Sequence, residues 1–527
     1  MHVVIIGAGI GGLAAAIRLA CAGLRVTLCE ASAAVGGKLG AVEVAGRPVD
    51  VGPTVFTMRD VFDALFEAAG ETLDDHLTLR RSETIARHIF ADGARLDLYA
   101  DQARSEEAIA AFAGEDAARD YAGFCDRAAD IYATLSPIFI RAERPSGPFG
   151  LALRAGPSGL PGLLRIGAQT RLAKSLSQQF ADPRLAQLFA RYATYNGSSP
   201  YLAPATLMLI AHVEKAGVWL VEGGMTQLAA ALRGLAERCG VTVRCGASVA
   251  SIDTVQGRAS GVSLVGGETI AADIVVSNAD VGALASGRFG EAAAASVDPP
   301  LASAERSLSA VTVAFEAPTC GLTVLRHNVF FSADYRREFD EIVRERRLPS
   351  DPTVYLCASD RDDHGALAEP ARRRGRERLF LIINAPADGD GPDFDKEEVE
   401  RCVTAAFSRL RASALQVERP DWEAIRLSTP SDFERRFPAT GGALYGRASH
   451  GSTASFQRPG ARTKLPGLYL CGGSVHPGAG LPMAALSGRI AAEAILADRA
   501  STRRFRRAAM PGGMWTRSRP TATMPSR

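Results

Sequence analysis

Six residues near the start of the chain leave it little freedom. Gly7-Ala8-Gly9-Ile10-Gly11-Gly12 follows an apolar run, His2-Val3-Val4-Ile5-Ile6, and opens an alanine-rich stretch ending near Gly23. Gly7, Gly9 and Gly12 fit G-x-G-x-x-G; Ala16 follows four residues later, and a second apolar run, Arg25 to Cys29, ends in Glu30. Strand, glycine turn, helix, strand and acid, in that order, are the fingerprint of a dinucleotide-binding βαβ unit. Gly7 permits the tight turn, Gly9 lets backbone approach a pyrophosphate, and Gly12 with Ala16 lets helix and strand pack closely. The helix N-terminus offers unpaired amides and a positive dipole end to the phosphates. Glu30 is expected to accept hydrogen bonds from the ribose.

The next glycines choose the dinucleotide. Gly36-Gly37-Lys38 supplies a second close backbone approach with a cation to neutralise phosphate, a pattern used by many FAD enzymes. Gly52-Pro53-Thr54 closes another small-residue turn suited to lie against a flavin. At the far end, Leu468-Tyr469-Leu470-Cys471-Gly472-Gly473 reads as a buried strand breaking into a turn, which continues through His476-Pro477-Gly478-Ala479-Gly480. An alanine-rich helix from Met483 to about Leu496 follows, and its N-terminus suits negative charge on a reduced flavin. No other fingerprint has strand and helix context, so one FAD and no separate NAD(P) domain is expected. Gly473, Pro477, Gly478 and Gly480 complete the expected cofactor-binding set.

At 527 residues the chain exceeds a single core, and two intertwined domains are expected. The net charge of +2 hides an asymmetry. Residues 499–527 hold eight arginines and no acid, leaving −6 on the rest. Nine cysteines without C-x-x-C spacing, and no secretory signal, point to reduced thiols in the cytoplasm. Eight scattered histidines give no metal motif, so no metal is expected, and nothing points to a nucleic-acid partner. No segment reaches the roughly 18 apolar residues of a membrane span.

Between the ends, residues 61–70 read as a core helix and Asp101 to Leu135 as surface helices. Arg144 to Ala181 lacks acids, while Arg144, Arg154, Arg165, Arg171 and Lys174 interrupt apolar runs broken by Gly and Pro. Such a stretch suits a lid or a surface dipping into anionic lipid, a solvated loop being the plainer alternative. Val249 to Val255 and Ala259 to Leu264 read as a hairpin across Gln256-Gly257. The expected fold is α/β. A discontinuous Rossmann-like FAD domain (1–100, 220–299, 436–498) carries an inserted α+β substrate domain (101–219, 300–435), with a basic disordered tail at 499–527.

The fingerprint, Gly36-Gly37-Lys38, Asp50 to Thr54, Gly217 to Met225 and the Pro477 to Gly480 turn together resemble the bacterial carotenoid (phytoene-type) desaturases, FAD enzymes with amine-oxidase-like architecture. Val55 to Arg59, Tyr192 to Tyr201, Val221 to Met225 and Val475 to Ser487 look more like the 1-hydroxycarotenoid 3,4-desaturases (hydroxyneurosporene or methoxyneurosporene dehydrogenases). The resemblance spans Met1 to about Leu496. It implies hydride transfer from a polyene end to the flavin with loss of a proton from the adjacent carbon, and a substrate drawn from the bilayer. The enzyme is then peripheral to the inner membrane, its tail drawn to anionic lipid, with quinone or oxygen as electron acceptor. No general base is legible; His476 is the nearest ionisable candidate, beside its plainer reading as a packing histidine. Tyr192, Tyr195 and Asn196 either line the polyene tunnel or meet a terminal hydroxyl, core packing being the alternative for the tyrosines. The rivals are a phytoene desaturase or carotenoid isomerase, an amine or protoporphyrinogen oxidase, and an escort or GDP-dissociation-inhibitor-like lipid-binding protein.

Overall fold

The computed structural model describes residues 1–392 and 394–508. Strand His2–Ile6 lies at the centre of a five-stranded sheet. Arg25–Cys29 and then Thr242–Arg244 extend it on one side, Ile274–Ser277 and then Leu468–Leu470 on the other. Every pairing is parallel, with Val3 opposite both Val26 and Ile274. Helices cover the sheet, so the central strand can be apolar along its length. The first helix, Ile10–Cys21, runs between the sheet and the last helix, Leu481–Ala508, and its alanines permit that approach. The expected hairpin forms as Val249–Val255 and Arg258–Leu264, and Gln256 and Gly257 both take positive φ, as a type I′ turn requires.

A seven-stranded sheet forms the second layer. Its core strands, Ser309–Ala317, Glu377–Ala385, Val354–Ala358 and His327–Phe330, pair antiparallel. Ser309–Ala317 is buried throughout because helix Lys396–Ala412 covers one face of the sheet and the nucleotide-binding half abuts the other. Thr84–Ile89 joins this sheet by pairing in parallel with His327–Phe330, and Arg95–Tyr99 follows as its edge. The expected boundary at residue 100 is thus corrected. Strands 84–99 travel with the second layer because Leu96 and Leu98 bury against the same cluster as Ile109.

Helix Glu115–Leu135 exposes Glu115, Asp116, Arg119, Asp126 and Asp130, as a surface helix does, and buries Tyr121, Phe124, Cys125, Ala128 and Ile131 as its core stripe. One further expectation changes. The last helix runs past Leu496 to Ala508, so residues 499–508 of the expected disordered tail are helical; they contain good helix formers and no Gly or Pro. Residues 509–527 lie outside the described residues.

Candidate active site

In the loop after the central strand the glycine positions are set by backbone geometry. Gly7 sits at φ +93° and donates its N–H to the Cys29 carbonyl at 2.7 Å. A Cβ on Gly12 would stand 2.1 Å from the Gly7 carbonyl oxygen. Gly9 begins the first helix, and no side chain caps it, so the first-turn amides point outward bare. Gly36 donates to the Ala8 carbonyl at 2.9 Å and forms a parallel bridge with Gly9, and a Cβ on Gly37 would lie 3.2 Å from Gly9 Cα. The two glycine turns therefore make one trough walled by backbone, which any larger residue would fill.

Glu30 is buried at the end of its strand and accepts the Ala8 N–H at 2.7 Å and the Ser32 N–H at 2.9 Å. A carboxylate has about four acceptor positions, so capacity remains for ribose hydroxyls. Gly52 leans on the trough: a Cβ there would meet the Lys38 carbonyl oxygen at 2.1 Å. Pro53 and Thr54, both half-buried, close that turn.

Lys38, expected to neutralise phosphate, is held by contacts across the site. Its ammonium reaches across to the Leu444 carbonyl at 2.6 Å and lies over the Phe437 ring, and burial holds its pKa below the usual lysine range. It staples the glycine doublet to residues 443–444 and leaves a positive charge beside the trough.

The distant turn arrives on the same side. Gly472 donates to Ser487 Oγ at 3.1 Å, while Gly473 faces open space. Pro477 is half-buried, Gly478 takes φ +142° beside Arg458, and Gly480 sits at φ +109° where the last helix begins. His476 is engaged elsewhere: its Nε2 donates to the carbonyls of Phe139 and Ala142, at 2.9 and 3.0 Å, and its Nδ1 is buried without a partner. Burial lowers its pKa to about 4, so the ring is neutral near pH 7.

Two residues at this site were not singled out from the sequence. Asn278, at the end of strand Ile274–Ser277, donates from Nδ2 to the Gly7 carbonyl at 3.2 Å, and its amide stands where a Cβ on Gly9, Gly11 or Gly472 would fall. The polar end of an otherwise apolar strand was its signal. Arg458, 2% exposed, donates to the carbonyls of Tyr445 (2.8 Å), Gly473 (3.1 Å) and Arg447 (2.6 Å). Among the described residues it forms no ion pair, and burial, partly offset by Asp280, lowers its pKa to about 10. Backbone trough, bare helix terminus, acid at the strand end and two cations that form no ion pair among the described residues fit a flavin dinucleotide.

Facing this side is the wall of the second layer. Tyr192 and Tyr195 both donate to Glu214, at 2.5 and 2.8 Å, and Arg191 donates to Tyr195 at 2.6 Å while lying over both rings. Asn196 holds Ser449 at 2.7 Å. The phenols of Tyr192 and Tyr195 are thus committed to an internal carboxylate. A second group stands apart: Tyr355 hydroxyl lies 2.6 Å from Thr54 Oγ1 and 2.7 Å from His327 Nδ1.

Residues 10–496 match the model of the flavin containing amine oxidoreductases. A hydroxyneurosporene desaturase of Rubrivivax gelatinosus is 51% identical, with 99% of this chain and 98% of that protein covered. Another of the same name, from Cereibacter sphaeroides, is 46% identical over 95% of this chain and 99% of its own length. A 4,4′-diapolycopene oxygenase of a Methylomonas species is 32% identical over 94% and 98%. Among solved structures, an oxidoreductase from Methanosarcina mazei (14% identity, TM-score 0.55) and a putrescine oxidase variant (16%, 0.55) each cover 94% of this chain, with 100% and 99% of their own lengths covered. At such identities they speak to the fold alone.

Proposed function

The chain belongs to the flavin containing amine oxidoreductases, as an FAD-dependent carotenoid desaturase, and from that membership we propose that it forms the 3,4 double bond at the hydroxylated end of an acyclic carotenoid. The carrying observation is a glycine trough in which Gly36 and Gly37 close on Gly9, with Glu30 at its strand end. Such a site suits a reaction whose hard step belongs to the cofactor.

Bound FAD would supply the two-electron, hydride-accepting chemistry. Gly9, Gly36, Gly37 and Gly473 would give close approach, Glu30 would hold the ribose, and Asn278 keeps the two glycine-bearing turns in register. Lys38 and Arg458, with the N-terminus of the last helix, would bring positive potential to a bound flavin as it takes up negative charge. The polyene itself spreads the positive charge left by hydride loss, so a weak proton acceptor suffices. His476, neutral and tied to two carbonyls, is read as a positioning residue.

The substrate's route is proposed from helix Pro148–Arg165. It is broken at Gly156, and it exposes Phe149 (83%), Leu153 (76%), Leu160 (43%) and Leu164 (85%). Transferring each from water to an apolar phase contributes roughly 1.5–3 kcal/mol. No helix among the described residues is long and apolar enough to cross a membrane. The reading is a peripheral enzyme seated by this helix on the inner membrane, with quinone or oxygen taking the electrons.

The test is to give the FAD-loaded protein, with liposomes, 1-hydroxyneurosporene and phytoene in parallel. A red-shifted spectrum from the hydroxylated substrate alone is expected. A chromophore growing from phytoene would make it an earlier-acting desaturase, and no change with either would overturn the assignment.

A further inference from the structure

We propose that Thr54 and Tyr355, with Tyr355 anchored by His327, form the binding site for the substrate's tertiary hydroxyl. The proposal rests on the 3,4-desaturase reading and says how the enzyme selects the hydroxylated end.

Hydrocarbon needs no hydrogen bonds, and burying an unpaired polar group costs about 1–3 kcal/mol. The polar groups of this wall therefore call for an account. In the Arg191–Tyr195–Glu214–Tyr192 group the carboxylate accepts both phenols and the guanidinium lies on their rings, although Arg191 Nε and Nη2 are buried without a partner among the described residues. The Thr54–Tyr355–His327 group does not close. A tyrosine or threonine hydroxyl offers one donor and two acceptor positions. Tyr355 spends two of its three on Thr54 and His327, and Thr54 has no other hydrogen bond among the described residues. His327 is 3% exposed, and its Nε2 has no partner among the described residues. Burial holds the ring neutral, lowering its pKa to about 3. The ring's Nδ1 either donates to the Tyr355 oxygen, leaving one donor and two acceptor positions on the Thr54–Tyr355 pair, or accepts from the Tyr355 hydroxyl, leaving three acceptor positions. In both tautomers the pair can accept the hydrogen of a third hydroxyl.

Position supports the same occupant. Thr54 ends the turn that leans on the Gly36–Lys38 trough, and Tyr355 stands on strand Val354–Ala358 of the substrate wall. Both side chains keep accessible surface although they lie where the two layers meet. In a 1-hydroxycarotenoid the oxygen is three bonds from C3, so a group that reads the hydroxyl must stand beside the reacting carbons. This hydrogen-bonded pair bridges the cofactor trough and the substrate wall, as that geometry requires.

The experiment compares Tyr355→Phe and Thr54→Val with the unmodified holoenzyme, flavin absorbance certifying the fold. Each is given 1-hydroxyneurosporene and 1,2-dihydroneurosporene, the same polyene with hydrogen in place of hydroxyl. The unmodified enzyme is expected to prefer the hydroxylated polyene, and each variant to lose at least about tenfold of that preference in kcat/KM, one hydrogen bond's worth. Variants that keep the full preference overturn the site. An unmodified enzyme that desaturates neither polyene overturns the functional reading and the site with it. Equilibrium binding of both polyenes to the holoenzymes checks the same preference independently of turnover.

Discussion

Gly488 of the last helix lies against Gly11 of the first: a Cβ at Gly488 would come 2.3 Å from the Gly11 carbonyl oxygen. This contact holds the two cofactor-facing helix N-termini side by side. Gly488→Ala must push the helices apart, and we expect a loss of about 1–3 kcal/mol, the usual cost of overpacking, together with weaker FAD retention. Thermal unfolding with and without added FAD checks it; an unchanged midpoint would refute the close-packing role.

Arg458 and Lys38 bring positive charge to the turns that would hold the flavin, and neither forms an ion pair among the described residues. Arg458→Met should destabilise the reduced cofactor and lower its two-electron potential. A fall of roughly 30–90 mV is expected, since about 30 mV corresponds to 1.4 kcal/mol for such a couple. Potentiometric titration against a reference dye measures it, and a potential equal to that of the unmodified enzyme would remove Arg458 from this role.

Phe149, Leu153 and Leu164 are the residues to change on the exposed helix. The triple Ser variant should retain flavin yet bind anionic liposomes at least tenfold more weakly in co-sedimentation. Equal binding would move the membrane contact elsewhere.

His476→Gln preserves a donor toward the Phe139 and Ala142 carbonyls. Desaturation should persist with an unchanged pH profile. A hundredfold loss, or a lost acid limb, would make His476 a catalytic base.

Glu338 is buried; Ser332 and Thr353 donate to one oxygen, and the other has no partner among the described residues. Burial raises its pKa to about 7. The folded state therefore binds this proton more tightly than the unfolded chain, whose glutamate titrates near 4.3. The stabilisation is full below that value and is lost as pH rises through 7. Glu338→Gln should flatten this fall, and melting curves from pH 5 to 9 would show it; parallel curves for the two proteins would exclude Glu338 as its source.

The cofactor half was legible because backbone geometry dictates residue type there. Gly12, Gly36 and Gly52 stand where a Cβ cannot go, Gly7 takes a φ of +93° that favours glycine, and spacing alone revealed them. The core helix expected at 61–70 forms as Arg59–Glu67 and was legible from periodicity: Val61, Phe62, Leu65 and Phe66 are buried as spaced. What escaped depends on contacts distant in sequence. Lys38 meets Leu444, Thr54 meets Tyr355 and Arg458 meets Gly473, and no local pattern specifies such pairings. Strands 84–99 were misplaced for the same reason, since their partner lies more than two hundred residues on.

The parallel sheet has a consequence for biosynthesis. Its central strand is the first of the chain, while its edge, Leu468–Leu470, and the covering helix Leu481–Ala508 come from the other end. A growing chain carries its glycine fingerprint out of the ribosome long before the groups that close the trough exist. Flavin loading is then a late event, and the apolar first strand must wait, exposed to aggregation, for the rest of its sheet.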